Sequence, residues 1–154
     1  VLCITADRWI VSCGTGGPDG FGGVYQTEDK GETWERLDTG TRPYVREACY
    51  HDRLYIPANR TAPLWNPPDA TLRIERTDGF ESVSYPGEPT SFVISWATAG
   101  DQLLAGTNDG RILRGRGREW VSLGAVPVSP DNQQAYGVTS LVTTEDHLRQ
   151  FENL

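Results

Sequence analysis

The sequence predicts an all-β fold assembled from repeated four-stranded antiparallel units, and three observations predict it. No window of a dozen residues keeps apolar residues at i, i+3, i+4 and i+7, so helical periodicity is missing. Short runs rich in β-branched and aromatic residues alternate with clusters of Gly, Pro, Asn and Asp, drawn from 17 Gly and 10 Pro. The runs also recur, and their turns repeat with them.

In chain order, strands are expected at Val1–Thr5, Trp9–Cys13, Gly23–Thr27, Thr33–Leu37, Glu47–Tyr50, Arg53–Pro57, Thr71–Glu75, Phe80–Ser84, Phe92–Ala97, Gln102–Gly106, Arg111–Arg114, Trp120–Leu123 and Val138–Thr143. The tightest turn signal is Asn108-Asp109-Gly110, where a hairpin needs positive φ. The turn after the first strand of each group reads Ala6-Asp7-Arg8-Trp9-Ile10, His51-Asp52-Arg53-Leu54-Tyr55, Gly100-Asp101-Gln102-Leu103-Leu104 and Glu145-Asp146-His147-Leu148. These aspartates are separated by 45, 49 and 45 residues. The group ends repeat as Trp34-Glu35-Arg36-Leu37, Phe80-Glu81-Ser82-Val83 and Trp120-Val121-Ser122-Leu123, an aromatic followed three residues later by an aliphatic.

Four strands per period of this length are the signature of β-propeller blades. The expected architecture is a partial propeller of about three and a half blades. Blade one falls at about 1–45, blade two at 46–91, blade three at 92–137, and the start of a fourth at 138–154. Closed propellers have roughly four to eight blades. The chain is therefore expected to be a segment of a longer propeller, or to close a ring with a second copy. The lack of any Met fits a chain cut from something longer.

The most specific segment is Thr27-Glu28-Asp29-Lys30-Gly31-Glu32-Thr33-Trp34. It matches S/T-x-D-x-G-x-T-W at every fixed position. Local chemistry explains the pattern: the Asp carboxylate accepts backbone N–H groups across a hairpin tip, and the Gly supplies positive φ. The Thr opens the next strand, and the Trp is expected to pack its ring between adjacent sheets. The segment resembles the Asp-box hairpin of BNR-type propellers, a group that includes sialidases, sortilin-type receptors, some glycoside hydrolases and the photosystem II assembly factor family. That resemblance implies a structural fold-back formed by Thr27, Asp29, Gly31, Thr33 and Trp34, on a rim away from any active site. Blade two keeps only Thr77-Asp78-Gly79-Phe80, and blade three has Arg114–Trp120 with no Asp. The further carboxylates of a calcium loop are missing around Asp29, so no metal is expected there.

Composition narrows the function. The net charge is -7, and Lys30 is the only lysine among 14 basic residues. Such a chain repels polyanions, so no nucleic-acid partner is expected. The run Arg111, Arg114, Arg116 and Arg118 beside Trp120 could clamp RNA bases, but Gly115 and Gly117 mark it as a hairpin tip beside Glu119. No apolar run approaches the roughly 20 residues that cross a bilayer, and no signal segment is visible. Cys3, Cys13 and Cys49 are odd in number and match no zinc spacing. They read as thiols, and no cofactor is expected. His51 and His147 read as exposed turn residues.

Ligands of propellers bind on the face built by the loops between the second and third strands and between blades. These loops are Gly14–Gly22, Ala58–Ala70 and Thr107–Gly110, with Asp38–Arg46, Tyr85–Ser91 and Gly124–Gly137 between blades. Long loops on a rigid scaffold carry function. The candidate ligand-binding residues are Arg42, Tyr44, Arg60, Trp65, Asp69 and Asn108, with Trp65 placed to stack on a sugar or peptide. A sialidase needs three arginines and a Tyr–Glu pair, and a glycosidase needs two carboxylates at a set separation. No catalytic motif surrounds these residues. The reading is a non-catalytic binding or assembly scaffold with a protein or carbohydrate ligand. The alternative is a carbohydrate-active hydrolase of which this chain supplies part.

Overall fold

A computed structural model describes residues 2–13, 23–37, 48–57, 70–88, 91–126 and 137–142. The described residues form twelve strands: β1 (Leu2–Cys3), β2 (Trp9–Cys13), β3 (Gly23–Thr27), β4 (Glu35–Leu37), β5 (Cys49–His51), β6 (Arg53–Pro57), β7 (Thr71–Arg76), β8 (Gly79–Ser84), β9 (Val93–Ala99), β10 (Gln102–Thr107), β11 (Arg111–Arg116) and β12 (Glu119–Ala125). They form three four-stranded antiparallel sheets, each a simple meander in chain order. No helix occurs among the described residues.

Alternation along β6 shows how the sheets stack. Successive side chains of a strand point to opposite faces. Leu54 and Ile56 join Ile10, Val24 and Ala48 in a core between sheets one and two. Tyr55, between them in sequence, points the other way. It joins Leu72, Ile74, Val83 and Tyr85 of sheet two with Val93, Leu103, Ala105, Leu113 and Trp120 of sheet three. Sheet two is thus covered on both faces, which is why residues 54–57 read as a continuous apolar run. Tyr55, Trp96 and Trp120 form an edge-on trio with ring centroids 6.2–6.4 Å apart. Each such ring pair adds about 0.5–1.5 kcal/mol to the area it buries.

Every sheet therefore has a leading face, towards the next sheet in the chain, and a trailing face, towards the previous one. Residues at matching repeat positions take matching faces. Ile10 of sheet one and Tyr55 of sheet two lead, and both are buried. Leu54 and Ile56 of sheet two and Leu103 and Ala105 of sheet three trail, and all four are buried.

Three expectations need correction. Val138–Thr143 does not form a strand: residues 137–142 are irregular, and Thr143 lies outside the described residues. Val138 is held crosswise instead of along a ladder. Its N–H donates to the Thr107 carbonyl at 2.9 Å, and its carbonyl accepts the Ser95 hydroxyl. Trp34 is not packed between sheets but is 43% exposed. Its repeat counterpart Trp120 is 7% exposed and packs against the sheet before it, as does half-buried Phe80. Among the described residues, no sheet precedes sheet one to cover Trp34. His51 is half-buried, because β5 runs through it and leaves Asp52, at φ 60°, as the turn residue. Its Nε2 has no hydrogen-bond partner. Cys49 carries no disulfide and packs at the edge of the second core. His147 and the expected loops at 14–22, 38–46 and 58–69 lie outside the described residues.

Candidate functional site

Antiparallel meanders put their turns at two ends. The first hairpin and the β3–β4 type of turn share one end, and the turns between second and third strands lie at the other. The two ends differ in chemistry.

The first end is fastened by polar groups. At Thr27–Thr33 the Thr27 hydroxyl donates to Asp29 Oδ1 at 2.6 Å and accepts the Gly31 N–H at 2.8 Å. Asp29 Oδ1 accepts the Thr33 N–H at 2.9 Å, and Oδ2 accepts the Thr33 hydroxyl at 2.6 Å. Gly31 adopts φ 92°, and a Cβ there would come 3.2 Å from the Trp9 ring. Hydrogen bonds from the Thr27 hydroxyl, the Thr33 hydroxyl and the Thr33 N–H hold the Asp29 carboxyl down to about 2. Thr33 and Trp34 are drawn into this turn, so β4 starts at Glu35.

Between sheets the same end carries ion pairs. Arg8 bridges Gln26 at 2.8 Å and Glu75 at 2.6 Å, and Glu75 Oε2 accepts the Leu54 N–H at 3.0 Å. Arg116 reaches Asp52 at 2.5 Å, Arg118 reaches Glu81 at 2.8 Å, and the Gly117 N–H donates to the Tyr55 hydroxyl at 3.1 Å. Arg76 also pairs with Glu81, and Arg118 foremost, with Arg76, holds that carboxyl at about 2. Arg116 and Arg118 are thus committed to acids of sheet two. Trp120 is buried, so its ring is not free to stack on a base.

The opposite end carries the described part of the candidate ligand face. Of the six candidate residues, only Asn108 is described; Arg42, Tyr44, Arg60, Trp65 and Asp69 lie outside the described residues. Asn108 sits in the β10–β11 turn. Its Oδ1 accepts the Phe92 N–H at 2.6 Å, and its own N–H donates to the Phe92 carbonyl at 3.0 Å. This two-way clamp ties the turn to the segment between β8 and β9. Six further residues, none of them among the ligand-binding candidates, complete the group. Ser91 donates to Asp109 Oδ1 at 3.1 Å, and Thr107 donates to the same oxygen. Arg111 donates through Nε to Asp109 Oδ2 at 3.0 Å and through Nη2 to Glu88 at 3.2 Å. The Tyr85 hydroxyl donates to the Ser91 carbonyl at 3.0 Å, and burial pushes the Tyr85 phenol up.

Asp109 is the electrostatic centre. Desolvation works against its charge, but hydrogen bonds from Thr107, Arg111 and Ser91 outweigh it and keep the carboxyl below its ordinary value. It stays an acceptor at neutral pH. The spacing Thr107-x-Asp109 repeats Thr27-x-Asp29 and was the available signal for this group. No set of three His, Cys, Asp or Glu residues gathers to hold a metal among the described residues. No helix among them is long and apolar enough to cross a membrane. Comparison with protein-family models, curated proteins and solved structures finds no match.

Proposed function

We propose that the chain is part of an Asp-box β-propeller that acts as a non-catalytic binding or assembly scaffold. The recognition surface is the Asn108 end of the sheets, and the ligand is a protein or a carbohydrate. The observation that carries this reading is the interlocked Thr107, Asp109, Arg111, Ser91 and Asn108 group. It fixes two loops to each other and holds Asp109 as an ionised acceptor. A glycosidase acid needs the opposite, a carboxyl kept protonated near neutrality. The Asp29 network on the other end supports the Asp-box reading, because every polar atom it uses is turned back into the turn.

Two assays on the purified chain test this. In the first, acidic and neutral oligosaccharides and peptides are titrated against it by calorimetry. Arg60→Ala and Trp65→Ala should each weaken binding without shifting the melting temperature. In the second, the chain is incubated with chromogenic glycosides. Turnover that survives repurification would overturn the scaffold reading, and undiminished binding by both variants would move the site elsewhere.

A further inference from the structure

The β10–β11 turn does more than close a hairpin, because its main chain is bonded on both flanks. On one flank stands the segment between β8 and β9. There Asn108 exchanges two hydrogen bonds with the Phe92 main chain, and the Ser91 hydroxyl donates to Asp109. On the other flank stand the residues that border 127–136. The Val126 N–H donates to the Gly110 carbonyl at 2.8 Å, and the Val138 N–H donates to the Thr107 carbonyl at 2.9 Å. One short turn thus holds two segments that lie on opposite sides of it in the chain.

Packing on the second flank is as close as the bonding. A Cβ on Gly137 would come 2.8 Å from Ile94 and 3.2 Å from the Asn108 Cα, and a Cβ on Gly106 would come 2.7 Å from Val138. Neither glycine has a positive φ, so space and not backbone conformation keeps side chains out of both positions. The buried Ser95 hydroxyl donates to the Val138 carbonyl. The two flanks meet in Thr107. Its hydroxyl donates to Asp109, which also takes the Ser91 hydroxyl, and its carbonyl takes the Val138 N–H. Thr107 and Ser91 are fully buried, so water does not take over these bonds while the turn is closed. Displacing either flank leaves a buried polar group of the turn unsatisfied, which costs more than the net worth of the bond itself.

We infer that the Thr107–Arg111 turn and its two flanks, Ser91–Phe92 on one side and Val126 with Gly137–Val138 on the other, open and close as one unit, so that fixing one flank fixes the other. Such local units are a property of the chain alone. The use of this one rests on the recognition surface proposed above. A ligand that orders one flank leaves less to be ordered at the other, so the Asn108 end engages its ligand through both flanks cooperatively. The coupling is reciprocal: whatever loosens the Val138 flank must loosen the Phe92 flank too.

The experiment is amide hydrogen exchange at Phe92 and Val138, followed by NMR on the whole chain without ligand. Two variants each remove a single buried hydroxyl, one per flank. Ser91→Ala takes a donor from Asp109, and Ser95→Ala takes one from the Val138 carbonyl. Ser91→Ala should speed exchange at Val138 as well as at Phe92, and Ser95→Ala should speed it at Phe92 as well as at Val138. Each change should be roughly 2- to 10-fold, the net worth of one hydrogen bond. The Gly31 amide, bonded to the Thr27 hydroxyl in the turn at the opposite end, should keep its rate. Ser91→Cys and Ser95→Cys weaken the donor with little change of shape, and replace an alanine variant that fails to fold. Faster exchange confined to the mutated flank would overturn the inference. So would a change at Gly31 as large as that at the far flank, because the loosening would then belong to the whole chain. No ligand enters the measurement, so a failure to bind saccharides or peptides counts against the function proposed above and leaves these rates as they are.

Discussion

Two turns of this molecule share one local wiring and put it to different uses. In Thr27–Gly31 and in Thr107–Arg111, a buried threonine hydroxyl donates to an aspartate two residues on and accepts the N–H four residues on, at 2.8 and 2.9 Å respectively. Beyond that the turns diverge. The second oxygen of Asp29 goes to Thr33, inside its own turn. The second oxygen of Asp109 goes to Arg111, which also reaches Glu88, while Ser91 and Asn108 fasten a distant segment. The first turn folds back on itself; the second is a clasp between loops. Sequence-local chemistry sets the wiring, and the tertiary neighbours decide what it holds.

If this contrast is right, removing the threonine hydroxyl should cost more in the clasp. Thr107→Val keeps the shape of a fully buried side chain but leaves the Arg111 N–H and the Asp109 carboxylate short of a partner. A loss of about 2–3 kcal/mol is expected from urea midpoints at unchanged slope. Thr27→Val makes the same change where water can replace part of the lost bonding, and about 1–2 kcal/mol is expected. Equal costs, or a reversed order, would erase the distinction between clasp and fold-back.

The two turns also show what the sequence made legible. The all-β fold and the twelve described strands follow from turn residues and repeat spacing, which act locally. Trp34 did not follow, because its burial depends on a neighbouring sheet and not on its own motif. The Asp109 group was written in plain residues, but its partners Glu88 and Ser91 lie about 20 positions away, and Thr107-x-Asp109 lacks the downstream Thr-Trp that made the first turn conspicuous. The trailing and leading faces were hidden for the same reason as Trp34: alternation gives two faces to a strand, but only packing says which sheet each one meets.

Acid should separate the turns next. The Asp29 carboxyl is lowered from an ordinary 3.8 to about 2, so its contribution to stability is whole above the unfolded value and is lost as pH falls through about 2. Glu81, lowered from 4.5 to about 2 by Arg118 and Arg76, loses its contribution over a window that opens slightly higher. The melting temperature should fall between about pH 4.5 and 2, and Asp29→Asn should flatten the lower part of that fall. An unchanged profile in Asp29→Asn would mean that the fold-back adds nothing to the folded state.

The smallest effect is expected at the rim of the clasp. Glu88 completes the chain of contacts from Asp109 through Arg111, yet its side chain is 69% exposed and its pair with Arg111 spans 3.2 Å. Such pairs lose most of their Coulomb gain to solvent and to the ordering of two long side chains. Glu88→Gln should therefore shift stability by no more than about 0.5 kcal/mol, and raising the salt should shrink even that. The Arg111 guanidinium would remain in place on Asp109, whose side chain is 19% exposed. A double-mutant cycle of Glu88→Gln with Thr107→Val makes the point measurable. Near-additive costs place Glu88 outside the clasp, whereas a coupling above about 1 kcal/mol would make it a working member of it.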